Sequence, residues 1–330
     1  MPNTLNTKLP ANLSLYEYPV EEEDFKAQVL KGLTMPRKEL SPTFFYDNRG
    51  SQLFEEITRL DEYYLTHTEF KIFDQHAKDI RAETAGQKVI VEPGSGNSEK
   101  ISILLERMRD FTCYIPIEIS RNHLLENSLV LAEKFPEINI VAVASDYMNP
   151  KLNLKALVPD YQNPLIFFPG SSIGNYGPVQ AVGVLKQFTK LMGGGGKLLI
   201  GVDLKKDKVI LENAYNDDKG LTASFNLNAL HHIKRELDIE DLNPDSFGHV
   251  AWYNDALGRV EMHLVSVTEQ EYELDGTRIH FNRGETIHTE NSYKYTIAEF
   301  QDLASKAGLV RQRYWTDAQE YYSVQLFGYG

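Results

Sequence analysis

From Val89 to Leu204 the chain alternates short apolar runs with amphipathic stretches, and this alternation narrows the fold more than any other feature. VIVE (89–92), CYIPIEI (113–119), INIVAVASDY (138–147), PLIFFPG (164–170) and KLLIGVDL (197–204) read as strands. Among them, SEKISILLERM, NHLLENSLVLAEKF and GPVQAVGVLKQFTKLM carry helical spacing. Strands apolar along their whole length, alternating with helices, belong in a parallel sheet covered on both faces. A doubly wound α/β sheet is expected.

The flanks read differently. The first 20 or so residues, rich in Asn, Pro and Leu, are expected as an irregular arm. EEEDFKAQVLKGL (21–33) reads as a helix with acids in its first turn. An Asp-Asn-Arg-Gly turn leads into a short helix with Leu53, Phe54 and Ile57 on one face, and a longer helix follows with Thr68 as its N-cap. Beyond Lys205, ENAYNDDKGLTASFNLNALHHIKREL reads as helix, and HVAWYNDALGRVEMHLVSV as a hairpin turning at Asp255–Gly258. TRIHFNRGETIHTENSYKY adds antiparallel strand. The tail supplies a helix ending at a glycine and two last strands. The expected organisation is one α/β domain from 1–204 and 295–330, with a helical pocket segment at 21–88 and an inserted α+β subdomain at 205–294.

Composition excludes several functions. A net charge of -13 over 330 residues repels phosphate backbones and anionic lipids, so neither nucleic acid nor a membrane is an expected partner. No apolar run reaches the roughly 18 residues of a membrane span. The N-terminus lacks the basic and apolar regions of a signal peptide, and a cytoplasmic monomer is expected. The one cysteine, Cys113, lies in FTCYIPI and reads as a buried strand thiol. No His/Cys/Asp spacing resembles a metal site, and no Ser–His–Asp arrangement is suggested. His231 and His232 read as structural.

VIVEPGSGNSEK (89–100) is a strand, a tight glycine turn and a helix start, the setting in which a backbone loop holds a nucleotide. Gly94 and Gly96 match the start of G-x-G-x-x-G, but Glu99 stands at the third position. A P-loop would need Gly at 99 and Ser or Thr at 101. Glu118 ends the next strand, 22 residues after Gly96, where an acid meets ribose hydroxyls. Asp146 ends the third. Acids after three strands (Glu92, Glu118, Asp146) repel a pyrophosphate and attract a sulfonium with an α-amino group. S-adenosylmethionine is therefore the expected cofactor. The two strands after the last helix also suit a class I, Rossmann-like methyltransferase sheet better than a dehydrogenase.

Several blocks stand out: FFYDNRGSQLFEEITRLDEYYLTHTE, VEPGSGNSEK, FFPGSSIGNY, LLIGVDLKKD, AYNDDKGLTASFNLNALHHIKREL, VEMHL and HTENSYKY, of which ITRLxEYY and AYNDxxGLTAxFNxNxL are specific. With them the chain resembles, from about Leu40 to its C-terminus, the bacterial histidine Nα-methyltransferases of ergothioneine biosynthesis. The resemblance implies trimethylation of L-histidine to its betaine, hercynine. It implies that Tyr46, Phe54 and Tyr63 line the amino-acid pocket, that Asn175 and Tyr215 bind the substrate carboxylate, and that Glu290 and Ser292 hold the imidazole with Met262 nearby. Donor contacts are implied for Gly94, Lys100, Glu118 and Asp146. Pro93, Asn97 and Glu118 stand where the family usually has Leu, Thr and Asp.

Elementary chemistry is compatible with these roles. Ligands of open α/β sheets lie beyond the carboxyl ends of the strands, within reach of Asn175. An amide in a glycine-rich turn is equally a turn former. Glu290 and Ser292, two apart on a strand, share a face and can address both nitrogens of an imidazole, although a polar strand face is also an ordinary surface. Transfer of a methyl to an amine forms no oxyanion, so positioning is the main demand. The sequence names no base. A related activity on another aromatic amino acid or a tryptophan derivative, and a donor-binding protein without catalysis, are the alternatives.

Overall fold

The computed structural model describes residues 9–18, 24–108 and 110–330. Its main sheet has eight strands. In chain order these are β1 (Leu13–Glu17), β3 (Val89–Pro93), β4 (Cys113–Glu118), β5 (Asn139–Ala144), β6 (Leu165–Phe168), β7 (Lys197–Asp203), β13 (Leu309–Thr316) and β14 (Tyr322–Tyr329). They lie side by side as β1-β5-β4-β3-β6-β7-β14-β13. Pairing is parallel from β1 to β7, and β14 is antiparallel to both β7 and β13. The apolar runs form this sheet because alternate residues serve opposite faces. Leu165 and Phe167 join one core cluster and Ile166 and Phe168 the other, all 2% exposed or less.

Helices α3 (Tyr64–Glu83), α4 (Glu99–Arg107), α5 (Arg121–Lys134), α6 (Pro178–Met192) and α9 (Ile297–Ser305) accompany this sheet. Thr296 caps α9, and the helix is followed by Gly308 at φ +78°. A second sheet, ordered β2-β12-β9-β8, joins β2 (Lys38–Glu39), β8 (Phe247–Asn254), β9 (Arg259–Ser266) and β12 (Thr286–Tyr293). A separate hairpin pairs β10 (Gln270–Leu274) with β11 (Thr277–Phe281). Helices α1 (Phe25–Leu33), α2 (Asn48–Ile57), α7 (Lys208–Asn213) and α8 (Leu221–Leu237) complete the elements. Among the described residues no helix is long and apolar enough to cross a membrane.

Four local expectations are corrected. The N-terminal arm is not irregular throughout: β1 adds a parallel edge to β5, with Leu13 and Leu15 buried. The Asn12 amide anchors it by donating to the carbonyls of Ala132, Phe135 and Ile138 at 3.1, 3.2 and 3.1 Å. Helix α1 starts at Phe25 behind an Asp24 cap, and Glu21–Glu23 lie outside the described residues. Thr68 is not a cap, because α3 begins at Tyr64 and buries Thr68 in its second turn. The stretch ENAYNDDKG is not continuous helix. Asp217 accepts from the N–H groups of Leu221 and Thr222 at 2.9 and 2.7 Å, and Gly220 turns at φ +69°, so the chain breaks between α7 and α8. That break carries Tyr215.

Candidate active site

β3 and β6 are neighbours, while the chain leaves β3 toward β4 and β5 and returns on the other side. This reversal opens a crevice at the carboxyl ends of the strands. The turn after β3 forms one wall. Gly94 and Gly96 adopt φ +66° and +47°, a region open to glycine at little cost. Their turn is pinned by N–H donation from Gly94 and Ser95 to the Ile117 carbonyl at 2.8 and 3.2 Å. Glu118, half-buried at the end of β4, accepts from the N–H groups of Ile119 and Ser120 at 2.8 and 3.1 Å. Asp146 accepts from the Met148 N–H at 2.8 Å.

Glu92 departs from the series of charges read in the sequence. It is 2% exposed and accepts from the Tyr114 hydroxyl at 2.5 Å. Burial pushes its carboxyl up to about 8, although the Tyr114 hydrogen bond and Lys100 oppose the rise. At neutral pH it is mostly uncharged, so the strand ends present two carboxylates to the crevice, Glu118 and Asp146.

Lys100, on the first turn of α4, pairs with Glu69 at 2.7 Å. Glu69 has no exposed surface and also takes the Gly170 N–H at 2.9 and 3.0 Å and the Tyr322 hydroxyl at 2.8 Å. It thus ties the loop after β3 to the loop after β6. A Cβ at Gly201 would come within 2.1 Å of the Glu69 carboxylate, so the approach requires glycine. Glu69 was not foreseen.

The other wall is aromatic. Ring centroids run from Tyr46 to Phe54 at 6.1 Å, from Phe54 to Tyr63 at 6.2 Å and from Tyr63 to Tyr215 at 6.2 Å, each edge to face. Phe225 of α8, also not foreseen, closes on Tyr46 and Phe54 at 5.5 and 5.8 Å. Tyr46 is 48% exposed although these rings surround it, so it faces an open space. Desolvation and then the charges of Glu290 and Glu118 raise its hydroxyl pKa. Glu118 belongs to the glycine-loop wall and Glu290 to β12, and the charge of each acts on the Tyr46 hydroxyl.

Glu290 pairs across the sheet with Met262 on β9, beyond a bulge between His288 and Glu290, and Ser292 pairs with Val260. Burial pushes the Glu290 carboxyl up to about 7, and the charge of Lys294 opposes the rise. Ser292 is 4% exposed and accepts from the Tyr215 hydroxyl at 2.8 Å. Asn175 ends a 3-10 turn at Ser172–Asn175 and is exposed. This turn presses on β12: a Cβ at Gly174 would lie 2.8 Å from the Tyr293 carbonyl oxygen and 3.6 Å from Ser292 Oγ. Asn175 therefore stands next to the Ser292 end of the strand.

Behind this wall is a buried ionic network. Asp203, at the end of β7, pairs with Lys206 and Lys294 at 2.6 Å each and accepts from the Tyr64 hydroxyl at 2.9 and 2.8 Å. Desolvation favours its neutral form, but the two lysines outweigh that and hold its carboxyl below the usual range. Lys206 is itself lowered to about 8, by burial first. The backbone N–H of Asp203 donates to Ser171 Oγ at 2.9 Å, and Ser171 sits at φ +57°, a strained position for a residue with a side chain. A signal for Lys294 was present in the sequence, since 290, 292 and 294 alternate onto one face of TENSYK. Among the described residues no group of three or more His, Cys, Asp or Glu side chains is arranged to hold a metal.

A glycine turn and two strand-end carboxylates on one side, and a row of aromatic rings on the other, fit a methyl donor beside a small acceptor. The model of the histidine-specific, S-adenosylmethionine-dependent methyltransferases matches residues 25–328. The chain belongs to that family. This methyltransferase is 36% identical over 309 residues to the histidine N-alpha-methyltransferase of Mycolicibacterium smegmatis, covering 92% of this chain and 94% of that one. It is 35% identical over 307 residues to the Mycobacterium tuberculosis protein of the same name, covering 91% and 94%. Against the ergothioneine biosynthesis protein 1 of Neurospora crassa it is 32% identical over 294 residues, 86% of this chain and 32% of that longer one.

Proposed function

We propose that this methyltransferase transfers three methyl groups from S-adenosylmethionine to the α-amine of L-histidine, giving hercynine as the first step of ergothioneine biosynthesis. The observation that carries the reading is the pairing of Glu290 and Ser292 on one strand face, beside the Tyr46–Phe54–Tyr63–Tyr215 row. A carboxylate and a hydroxyl side by side suit the two ring nitrogens of histidine, and an aromatic wall suits its ring plane. The relatives named for histidine methylation and ergothioneine synthesis support the same substrate.

In this reading the turn of Gly94 and Gly96, with Lys100, Glu118 and Asp146, holds the donor, and Glu92 lies beneath the turn as a neutral group. Met262 backs Glu290. Residues 205–294, with the helical segment 21–88, form the part that reads the substrate, inserted into an α/β domain of 1–204 and 295–330. The donor supplies an electrophilic methyl carbon, and the chain aligns the amine lone pair with it. Tyr46, Tyr63 and Tyr215 are phenols whose ordinary pKa of about 10 keeps their protons at neutral pH, and burial raises Tyr63 and Tyr215 further, so they act as donors rather than bases. Ring and carboxylate are held away from the amine, so methyl groups can accumulate on nitrogen. The protein acts as a cytoplasmic monomer in this reading.

The test is mass spectrometry of a mixed amino-acid pool incubated with protein and donor. Trimethylated histidine as the sole product is expected. Products stopping at one methyl with donor in excess would refute the extent, and product on another amino acid, or donor binding without turnover, would refute the reading.

A further inference from the structure

We propose that Lys294 is a positioning residue that leaves Ser292 only a proton to offer the substrate, so that the site takes the ring of histidine in its uncharged form. This rests on the functional reading above and adds the ionic state of the substrate.

The Lys294 side chain is fully buried. An ammonium has three N–H donors and no acceptor. All three are engaged: with Asp203 Oδ2 at 2.6 Å, Ser292 Oγ at 2.7 Å and Tyr215 Oη at 3.1 Å. Tyr215 donates in turn to Ser292 Oγ at 2.8 Å. A phenol is the more acidic of the two hydroxyls and so the better donor. Ser292 therefore accepts twice, which uses both lone pairs and leaves its own O–H as the remaining capacity.

Glu290, two residues earlier on the same face, accepts when ionised. A neutral imidazole has one acceptor nitrogen and one N–H, which matches this pair. An imidazolium has two N–H groups, and one of them would meet the Ser292 proton with the Lys294 ammonium behind it. The titratable groups facing Lys294 reinforce this. They are Asp203 at the end of β7, Lys206 beyond it, Tyr215 after α7, Tyr253 of β8 and Glu290. Lys206 and Lys294 both pair with Asp203, and Asp317 acts in turn on Lys206, whose ammonium burial pushes down to about 8.

The experiment compares kcat/KM for histidine with kcat/KM for triazolylalanine, whose ring stays uncharged in mild acid, as pH is lowered. The ratio cancels ionisation of the amine and of Glu290, which both substrates share. In the wild type the ratio should fall about tenfold per pH unit below the imidazole pKa of about 6.5. In Lys294→Met the fall should largely disappear, because Ser292 regains an accepting lone pair. A flat wild-type ratio, or an equally steep fall in a folded Lys294→Met, overturns the proposal. If Lys294→Met fails to melt cooperatively or to bind S-adenosylhomocysteine, Ser292→Ala decides instead: a flattened ratio supports the proposal and an unchanged slope overturns it. Wild type that binds donor and leaves histidine unmethylated overturns the functional reading rather than this inference.

Discussion

The two walls of the crevice are built on different plans. The donor wall is local in sequence and made largely of backbone. Gly94, Gly96, Glu118 and Asp146 fall within about 50 residues, and each acid is oriented by N–H groups next to it in the chain. The acceptor wall draws on residues 46, 54, 63, 215, 225, 290 and 292, and its polar groups are oriented by a buried ionic network rather than by neighbouring turns. A wall of turns can tolerate loss of one side chain, because the backbone keeps its path. A wall held by buried charges depends on every member, because an unmatched buried charge is costly.

The sharpest way to break this contrast is Asp203→Ala. It would strand Lys206 and Lys294, and the expected loss of stability is about 3–5 kcal/mol, read by urea denaturation. A loss near zero would mean that water reaches the lysines and that the network is not a frame. Next comes Glu290→Ala. Here kcat/KM for histidine should drop about tenfold to a few hundredfold, the range for losing a hydrogen-bond partner in a buried site. The preference for histidine over tryptophan should narrow with it, because the carboxylate that an indole leaves unpaired on one side is gone. An unchanged ratio of the two substrates would separate β12 from ring recognition.

On the donor wall the expected effect is smaller and confined. Asp146→Ala should weaken S-adenosylmethionine binding by about 1–3 kcal/mol in calorimetry, with KM for histidine little changed. Undiminished donor affinity would remove Asp146 from the site. The effect that is smallest at any single step of pH, though not in sum, is a slope from Glu92. An unfolded chain releases this proton near the ordinary glutamate value, whereas the folded protein holds it to about 8. Between those values the native state binds more protons, so this contribution is complete at low pH and is lost as pH rises toward 8. The loss is on the order of 1 kcal/mol per pH unit within that window. Glu92→Gln never ionises, so its stability relative to wild type should rise steadily from acid to pH 8. A constant difference would show that Glu92 ionises normally.

How much was legible follows the same division. Apolar runs and glycine turns are short-range signals, and from them the parallel sheet, the loop after β3 and the acids at the ends of β4 and β5 could be read directly. The aromatic wall was legible only through resemblance. With 18 tyrosines and 16 phenylalanines, nothing local distinguishes Tyr46 or Tyr63 from core residues, and Phe225 went unnoticed for that reason. Neither Asp203, at the end of a strand, nor Glu69, near the start of a helix, was marked out by anything local. Both are buried, and each has partners more than 90 residues away in the chain, Lys294 for Asp203 and Gly170 and Tyr322 for Glu69.

The sequence by itself therefore determined the α/β class and the position of the glycine turn, since each rests on periodicity or turn chemistry within a few residues, whereas the role of β12 came only through resemblance. The tertiary structure decided which ionisable groups carry charge and which way hydrogen bonds point. Those properties depend on exclusion of water and on the count of donors and acceptors at one point in space. The Glu92 carboxyl is pushed up to about 8 because β3 is central in a sheet covered on both faces. Lys294 kept a place in the interior because Asp203, Ser292 and Tyr215 arrive there from three separate segments and take all of its protons.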